Sequence, residues 1–383
     1  MFLFPYLQKQ QRQALNKVPV LIEKTFPLPG RFRSSLAFDI KELSRLLTSA
    51  RGERSLSYLS RPNLLSAYLR YFLPWNIYRL CRLLGGIELS LKAGDTVIDL
   101  GCGPFTMAAA LWIAKPELRG LPLEFRCVDS CAPALEAGKK FFAALCSEDG
   151  GAGSWKIKTV KSGIENYSAG GQGAALVCAV NVFNEVQGKT PHFDAAGQKR
   201  KAANAARILC GLAAPGASIL AVEPGIPNSG QFVSLLREEL LARDFLPASP
   251  CPHEQACPMP GGFSQSGEKT RWCHFAFDTA DAPKALHGLS AMARLPKERA
   301  VLSFLLAKAP GGVRGEVGAR VVSDSFPLGD GLHGRYACSS WGLLLLKGEK
   351  HKTDRIPAGA FVPLNPSAKG QRDAKSGALA IRL

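Results

Sequence analysis

The chain has 383 residues, 46% of them hydrophobic, which is enough for two or three domains and a large core. Its eleven cysteines are an odd number in a long chain, which argues against a disulfide framework, and no apolar run approaches the ~20 residues of a membrane span. Lysine and arginine total 48 against 31 acidic residues, a net charge of +17. This surplus favours a polyanionic partner, with nucleic acid first and an anionic membrane surface second; solvating surface charge is the alternative.

The positive charge is concentrated at the two ends of the chain. Residues 1–90 hold 14 lysines and arginines against 5 acidic residues, and residues 331–383 hold 9 against 3. This distribution favours a central core flanked by basic binding regions. The start of the chain lacks the apolar run of a secretory signal, so we expect a cytoplasmic protein with reduced thiols.

The first 90 residues predict a basic arm followed by a small helical domain. Residues 1–30 are basic and contain several prolines, which predicts an arm. Helical spacing of apolar residues then predicts helices over Ser34–Ala50, Asn63–Phe72 and Trp75–Leu84.

Aromatic and arginine residues alternate in the second half of this region. The set comprises Tyr68, Tyr71, Trp75 and Tyr78 with Arg70, Arg79 and Arg82. Such a mixture binds RNA by stacking and phosphate contact, or it packs helices together with solvated charges.

A strand that runs into a glycine turn marks the beginning of the next domain. The run from Asp95 to Leu100 predicts a buried parallel strand, and Thr106–Lys115 predicts the helix after the turn. Asp99, Gly101 and Gly103 match the loop that holds S-adenosylmethionine. Such a loop suits a nucleotide-like ligand, because it presents free backbone N–H groups at a helix N-terminus. The next glycine of that motif is replaced by phenylalanine at position 105.

A carboxylate follows the second predicted strand, Leu123–Val128. Asp129 stands 26 residues after Gly103, where it can accept hydrogen bonds from the ribose hydroxyls of a cofactor. The glycine turn and this carboxylate together favour S-adenosylmethionine, whereas a tight strand–helix turn without a ligand is the alternative.

The later elements complete an open α/β sheet that is mostly parallel. Strands are predicted at Trp155–Val160, Ala174–Val180, Ser218–Val222, Phe275–Phe277 and Ala300–Leu306, and helices at Ala132–Leu145, Ala195–Leu212 and Gln231–Arg243. Asn184 and Glu185 follow the fourth strand and either contact the methionine part of a cofactor or cap a helix. No signature for methylation of amino groups or of pyrimidine carbon 5 is present, so the catalytic residue is unknown.

Three cysteines lie in a segment rich in proline and glycine, residues 247–275. The prolines exclude a long helix, and the segment has too few bulky apolar residues for a core of its own, so a metal bound by Cys251, Cys257 and Cys273 would hold it in shape. Cys338 is the best candidate for a fourth ligand. Cysteine followed by proline occurs at iron–sulfur sites, but the spacing matches neither ferredoxin pattern, so zinc remains the alternative. In the zinc interpretation His253 or His274 replaces a cysteine.

The C-terminal region predicts a β module and a basic tail. Strands are expected at Ala319–Ser323, Tyr336–Ser339 and Leu343–Lys347, within a module of residues 310–350. Residues 351–383 are rich in proline, glycine, serine, alanine and lysine and predict a flexible tail.

Together these motifs resemble the small-ribosomal-subunit methyltransferase-like family (Rsm twenty-two), which has bacterial members. The matching pieces are Asp99–Pro104, Val128–Ser130, Asn184–Val186, Glu223–Gly225, Pro250–Pro258, Arg271–Phe275 and Tyr336–Cys338. The cysteine segment is the most specific of these, while the N-terminal helices and the tail match loosely.

The resemblance implies a class I methyltransferase core over residues 91–309 and a 4Fe–4S cluster on Cys251, Cys257, Cys273 and Cys338. It also implies association with small-subunit ribosomal RNA during assembly of the subunit. Separately, we expect a monomer without a membrane partner. We therefore expect an rRNA-binding, methyltransferase-like protein of ribosome assembly and translation. Two alternatives are an active rRNA methyltransferase that uses S-adenosylmethionine and a redox or iron sensor that controls RNA binding through its cluster.

Overall fold

The computed structural model describes residues 2–50, 58–148, 153–171, 173–186, 194–262, 270–309, 318–365 and 370–383. The helices are α1 Lys9–Thr25, α2 Gly30–Arg33, α3 Leu36–Leu47, α4 Pro62–Ala67, α5 Leu73–Leu84, α6 Thr106–Ala114, α7 Ala132–Glu148, α8 Phe183–Val186, α9 Ala195–Leu212, α10 Pro227–Leu241, α11 Lys284–Met292 and α12 Lys350–Asp354. Short 3₁₀ turns occur at Tyr58–Ser60 and Pro116–Leu118, and a π-helical turn at Tyr68–Phe72 joins α4 to α5.

The strands form two sheets. They are β1 Thr96–Leu100, β2 Glu124–Asp129, β3 Lys156–Lys161, β4 Ala174–Val180, β5 Ala213–Pro224, β6 Leu246–Ser249, β7 Phe275–Asp278, β8 Arg299–Lys308, β9 Gly318–Val321, β10 Phe326–Pro327, β11 Leu332–Ser339, β12 Gly342–Glu349, β13 Phe361–Pro363 and β14 Leu379–Arg382.

The larger sheet has the strand order of a class I methyltransferase-like α/β fold. The order is β3-β2-β1-β4-β5-β8-β6, with β7 also paired to β8. Strands β1 to β5 are parallel, and β8 runs antiparallel to β5. The order reverses between β1 and β4, which is the place where ligands bind in open α/β sheets. The expected α/β core is confirmed, as a mixed sheet.

The composition of the inner strands explains their position. β4 is a continuous run of apolar residues, and β1 is apolar except at Thr96 and Asp99. Both strands are buried along nearly their whole length, as parallel strands covered by helices on both faces require. α6, which connects β1 to β2, is buried at every position and packs on α5. The loops that follow β1 and β4 therefore start from buried elements.

The cysteine segment is an insertion between β6 and β7, which both pair antiparallel with β8. An isolated bridge pairs Pro260 with Trp272, and Gly261 N donates to Arg271 O at 2.9 Å. The segment thus returns on itself as an irregular hairpin beside the last strands of the sheet.

The prediction of an arm over residues 1–30 is wrong, because residues 9–25 form the long helix α1. Its buried residues include Leu15, Val18 and Ile22, which face the core at helical spacing although Pro19 lies inside the helix. Upstream of α1, the ring of Phe4 is fully buried and stacks on Phe277 at 4.7 Å between centroids. One continuous hydrophobic cluster joins these N-terminal residues to the main sheet.

The aromatic and arginine residues that suggested RNA binding are mostly part of this packing. Tyr71, Trp75, Tyr78, Arg70 and Arg82 are all buried. These residues therefore pack the helices together, as the alternative predicted, but Arg70 and Arg82 are buried and not solvated.

The second sheet contains more of the chain than the sequence predicted. Its order is β13-β9-β11-β12-β14, with β10 paired to β11. β13 pairs with β9, and β14 lies parallel to β12. Residues 351–383 were expected to be a flexible tail, but β13 and β14 join this sheet, and Val362, Leu379 and Ile381 pack against its small core. Helix α12 packs on β11 and β12. No helix in the described part of the chain is long and apolar enough to cross a membrane.

Candidate functional site

The loop after β1 has the backbone that its glycines permit. Gly101 and Gly103 have φ values of +63° and +53°, in the left-handed region that favours glycine. A Cβ at Gly101 would overlap the side chain of Val182, whereas at Gly103 it would meet nothing within 4 Å. Gly101 therefore packs against the loop after β4, and Gly103 leaves open space above the loop.

Phe105, which replaces the usual glycine, also has a left-handed conformation, with φ 62°. Its ring is fully buried and lies so close to Gly138 of α7 that a Cβ on Gly138 would overlap it. The ring therefore points into the core and is not among the residues that line the cavity described next. Burial of the aromatic ring offsets a backbone strain of about 1–3 kcal/mol.

A cavity of about 230 Å³ lies over the carboxyl ends of β1, β2 and β4. This is slightly below the ~300–1,000 Å³ typical of ligand sites. Its lining comprises Tyr58, Leu59, Tyr68, Gly101, Gly103, Asp129, Ser130, Cys131, Ser162, Gly163, Ile164, Glu165, Asn166, Val180, Asn181, Val182 and Glu185. Tyr58, Leu59 and Tyr68 come from the N-terminal region, and the other lining residues lie on the strands of the main sheet or in the loops and turns that follow them.

Asp129 joins the glycine loop to this cavity. Its Oδ2 accepts from Gly103 N at 2.8 Å, and its Oδ1 accepts from Cys131 N at 2.8 Å. Burial raises the pKa of Asp129, although these backbone hydrogen bonds oppose the shift. Each carboxylate oxygen keeps a second lone pair. Asp129 is therefore fixed in place and can still accept a hydroxyl from a ligand.

Asp99 lies one layer below the cavity. The residue is buried between Cys127 of β2 and Cys178 of β4, which are its register partners. Neither of its carboxylate oxygens has a hydrogen-bond partner in the described residues. Burial, and then the charge of Asp129, raises the pKa of Asp99 well above the usual value. Asp99 does not line the cavity, and direct contact with a cofactor stays a prediction.

The turn after β4 is held by two charged residues from other elements, the half-buried Arg79 and the buried Glu223. Asn181 has φ 56°, and its Oδ1 accepts from Nη2 of Arg79 at 2.9 Å. Glu223, at the end of β5, accepts from the backbone N–H groups of Phe183 and Asn184 at 3.0 and 3.2 Å. Burial raises the pKa of Glu223 to about 7.

The sequence indicated Asn184 and Glu185 at this turn, and only one of the two lines the cavity. Asn184 does not line it, whereas Asn181 and Glu185 do. Tyr58 Oη donates to Glu185 Oε1 at 3.2 Å, which joins the N-terminal domain to the turn. Asn181 was missed, and the available signal was an asparagine directly after a strand, a residue type that tolerates a positive φ.

The four cysteines of the predicted metal site are neighbours in the fold. Cys338 pairs with Arg320 across β11 and β9, and Arg320 Nε donates to Pro250 O at 3.1 Å, beside Cys251. The backbone of Cys273 is held by Ser303, whose Oγ donates to Cys273 O at 2.8 Å. The C-terminal sheet therefore meets the cysteine segment at the position where Cys338 lies.

The thiols also influence one another electrostatically. Burial is the largest effect and raises the pKa of Cys273 well above normal, and the thiols of Cys251, Cys257 and Cys338 raise it further. Burial also raises the pKa of Cys251 to about 11. Even so, no group of three or more His, Cys, Asp or Glu side chains within the described ranges is arranged to hold a metal ion. The cysteines are thus adjacent without the geometry of a coordination sphere.

The two histidines near these cysteines differ in position. Nε2 of His253 lies 3.2 Å from Sγ of Cys338, and burial lowers the pKa of His253 to about 4, so its ring is neutral near pH 7. His274 stacks on Trp272, with ring centroids 5.1 Å apart. His253 is therefore the histidine that contacts a cysteine thiol.

The fold is similar to that of several solved methyltransferases. A class I S-adenosylmethionine-dependent methyltransferase candidate from Listeria monocytogenes is 11% identical, with 80% of this chain and 88% of that chain covered and a TM-score of 0.35. The W203A mutant of the 16S rRNA (adenine(1408)-N(1))-methyltransferase from Catenulisporales acidiphilia is 19% identical, with coverages of 57% and 86% and a TM-score of 0.32. Geranyl diphosphate C-methyltransferase from Streptomyces coelicolor A3(2) is 10% identical, with coverages of 57% and 74% and a TM-score of 0.32. These scores are too low to add to what the strand order shows.

A comparison with curated proteins finds no match. Residues 199–327 match the family model described as mitochondrial small ribosomal subunit Rsm22. The matched range contains Cys251, Cys257 and Cys273 but neither the glycine loop nor Cys338. This match agrees with the family resemblance that the sequence motifs indicated: over residues 199–327 the chain is similar to Rsm22.

Proposed function

We propose that this chain binds ribosomal RNA of the small subunit and holds S-adenosylmethionine in its methyltransferase-like core. The match of residues 199–327 to the Rsm22 family is the observation that carries the ribosomal part of the proposal. The chain's net charge of +17 supports it, because phosphate groups attract such a surface. No residue is assigned a catalytic role, and the proposal requires RNA binding but not methyl transfer.

The cofactor part of the proposal rests on the cavity at the reversal of strand order. Gly103 leaves open space above its backbone, and Asp129 keeps lone pairs that can accept the ribose hydroxyls. The buried, unpartnered carboxyl group of Asp99 lies beneath the same loop. When bound, S-adenosylmethionine would supply a transferable methyl group, and the chain's residues would hold and orient it.

The metal part of the proposal concerns Cys251, Cys257, Cys273 and Cys338. Four thiols on neighbouring segments form a donor set that suits zinc or an iron–sulfur cluster. The family resemblance favours a 4Fe–4S cluster, and zinc is the alternative. The centre would connect the insertion between β6 and β7 to the C-terminal sheet, which suits a structural role.

An exposed surface on α2 and α3 supports RNA binding. Phe32 and Phe38 are 46% and 71% exposed, and the Arg31 guanidinium lies 4.8 Å from the centroid of the Phe32 ring. Arg33 and Lys41 are exposed on the same two helices. Exposed rings stack on unpaired bases, and the cations contact phosphates. The rings and cations of this surface are accessible to RNA, whereas Tyr78 and Arg82 of α5 are buried.

Fluorescence anisotropy with labelled single-stranded fragments of small-subunit rRNA tests this proposal. Affinity should fall steeply as salt rises. A Phe32→Ala and Phe38→Ala double variant should bind at least about 30-fold more weakly, because each of the two stacked bases would contribute roughly 1–3 kcal/mol. Met292→Ala is the matched control, since Met292 is also exposed, on α11. Wild-type binding that ignores salt would contradict the proposal.

A second candidate function is methyl transfer to rRNA. The observation in its favour is the cavity, in which Asn181 and Glu185 lie beside the glycine loop. Transfer of a radioactive methyl group from S-adenosylmethionine to small-subunit rRNA distinguishes this function from binding alone. If the cofactor binds but no label is transferred to free rRNA or to assembling subunits, methyl transfer is excluded and only the binding function remains.

A further inference from the structure

Arg237 is a buried cation that reaches from the main domain into the cysteine segment. It lies on α10 with 3% of its surface exposed. Its Nη2 donates to the carbonyl oxygens of His253 and Gln255, at 2.7 and 2.8 Å. Both carbonyls belong to the loop between Cys251 and Cys257. The guanidinium is therefore fixed by the backbone that presents two of the cysteines.

The charge of Arg237 has no carboxylate to balance it in the part of the chain that the structure describes, and its Nε has no hydrogen-bond partner there. Arg82 is the useful contrast, because this equally buried arginine forms an ion pair with Asp281 at 2.7 Å. Carbonyl dipoles alone compensate a buried cation poorly, so an anion is expected nearby.

The loop that Arg237 holds is bounded by Cys251 and Cys257. Its carbonyl acceptor His253 also places Nε2 3.2 Å from Sγ of Cys338, so cysteine thiols lie on both sides of this loop. A guanidinium in this position favours sulfur atoms that carry negative charge. Neutral thiols would leave the cation uncompensated.

We propose that Arg237 is the fixed counter-charge of an anionic metal centre held by the thiolates of Cys251, Cys257, Cys273 and Cys338. This inference rests on the metal centre proposed above. Either a zinc ion or a 4Fe–4S cluster with four thiolates carries a net negative charge, which the buried guanidinium offsets. Arg237 is a positioning residue, because it acts on the centre without being a ligand.

Two substitutions separate the charge of Arg237 from its hydrogen bonds. Arg237→Gln keeps an amide donor for the loop carbonyls and removes the charge, whereas Arg237→Lys keeps the charge. Arg243→Gln is the matched control, since Arg243 pairs with Glu239 at 2.7 Å and is partly exposed. The full-length variants are reconstituted anaerobically with iron and sulfide, or with zinc alone. Metal content and the rate of metal loss to excess chelator are then measured.

The charge model predicts that Arg237→Gln loses its metal at least about tenfold faster than wild type, as expected for residues that support metal ligands. Arg237→Lys should stay within about threefold of wild type, and Arg243→Gln should be unchanged. If iron is bound, the midpoint potential of the Gln variant should also be lower, because removal of a nearby positive charge disfavours reduction, while the Lys variant keeps the wild-type potential.

The remaining outcomes overturn the inference in distinguishable ways. If wild type takes up no metal from either reconstitution, the metal centre and the role of Arg237 both fall. If wild type binds metal and Arg237→Gln retains it equally long, only the role of Arg237 falls. Equal losses from the Gln and Lys variants also exclude a charge role. If the Gln variant does not fold, the Arg237→Lys variant alone tests the inference. Metal loss from the Lys variant more than about threefold faster than from wild type would then overturn it.

Discussion

Nε2 of His253 lies 3.2 Å from Sγ of Cys338, although the two residues are 85 positions apart in the chain. This contact connects the insertion between β6 and β7 to strand β11 of the C-terminal sheet. Arg320 makes a second connection at the same place, since it pairs with Cys338 and donates to Pro250 O. The two domains therefore meet at the cysteines, and a metal centre there would hold both together.

Substitution of Cys338 should show whether the centre has its fourth ligand in the C-terminal sheet. With Cys338→Ala, we expect metal content to fall at least about tenfold and the domain contact to loosen, because metal binding contributes directly to folding. Metal analysis and limited proteolysis check this. Cys210→Ala is the control, since Cys210 lies on α9, outside the cysteine segment. Equal metal content in both variants would remove Cys338 from the ligand set.

Substitution of Asp129 should weaken binding of S-adenosylmethionine. Asp129→Asn removes the negative charge that favours hydroxyl donors, and hydrogen bonds to charged groups contribute about 1.5–3 kcal/mol, so affinity should fall roughly 10- to 100-fold. Isothermal titration calorimetry measures the change. Asp95→Asn is the control, because Asp95 lies at the opposite end of β1 and caps Lys92 N. Unchanged affinity in Asp129→Asn would contradict the ribose assignment.

Glu223 should make folding stability depend on pH. Burial raises its pKa from 4.5 to about 7, so the folded state binds this proton more tightly than the unfolded state. This contribution to stability is fully present below pH 4.5 and is lost as pH rises to about 7, by roughly 3 kcal/mol.

Urea denaturation between pH 4.5 and 8 tests the role of Glu223. The Glu223→Gln variant should lose this part of the pH slope, because glutamine does not titrate. Glu117→Gln should keep the wild-type slope, since Glu117 is exposed. Equal slopes in wild type and Glu223→Gln would assign the pH dependence to other groups.

Phe105 should contribute to stability and not to cofactor affinity. Phe105→Gly relieves the left-handed strain but leaves a cavity against Gly138, so the free energy of unfolding should fall by about 2–4 kcal/mol. Because the ring does not line the cofactor cavity, affinity for S-adenosylmethionine should change little. Phe38→Ala, on an exposed ring, should cost under ~0.5 kcal/mol. A large loss of affinity with intact stability would place the ring in the binding site instead.

The core of the fold was predictable because parallel strands and long helices carry strong local patterns. Ala174–Val180 and Ala195–Leu212 agree with the predicted bounds to the residue. Helix α1 was missed because Pro19 and the basic residues obscured a regular apolar spacing. β14 was missed for another reason: it pairs with β12, over 30 residues away, and its four residues have no local signal of that partner.

The candidate site was predictable only where one motif carries the geometry. The glycine loop and Asp129 adjoin as expected, since Gly103 N donates to Asp129. Asn181 depends on Arg79, a residue of the N-terminal domain, and such long-range contacts are not visible in a single sequence. The burial of Tyr71 likewise depends on a distant part of the chain, since its Oη donates to Leu295 O at 3.0 Å.

Metal, sulfide and absorbance analysis of the anaerobically purified full-length chain tests the central claim most directly. Our account predicts about one thiolate-bound centre per chain, with broad absorbance near ~400 nm for an iron–sulfur cluster or bound zinc without it. The same centre should be lost when Cys251, Cys257, Cys273 or Cys338 is replaced by alanine. A chain that contains no metal after reconstitution, or keeps it after each replacement, would contradict the claim that these four cysteines form one site.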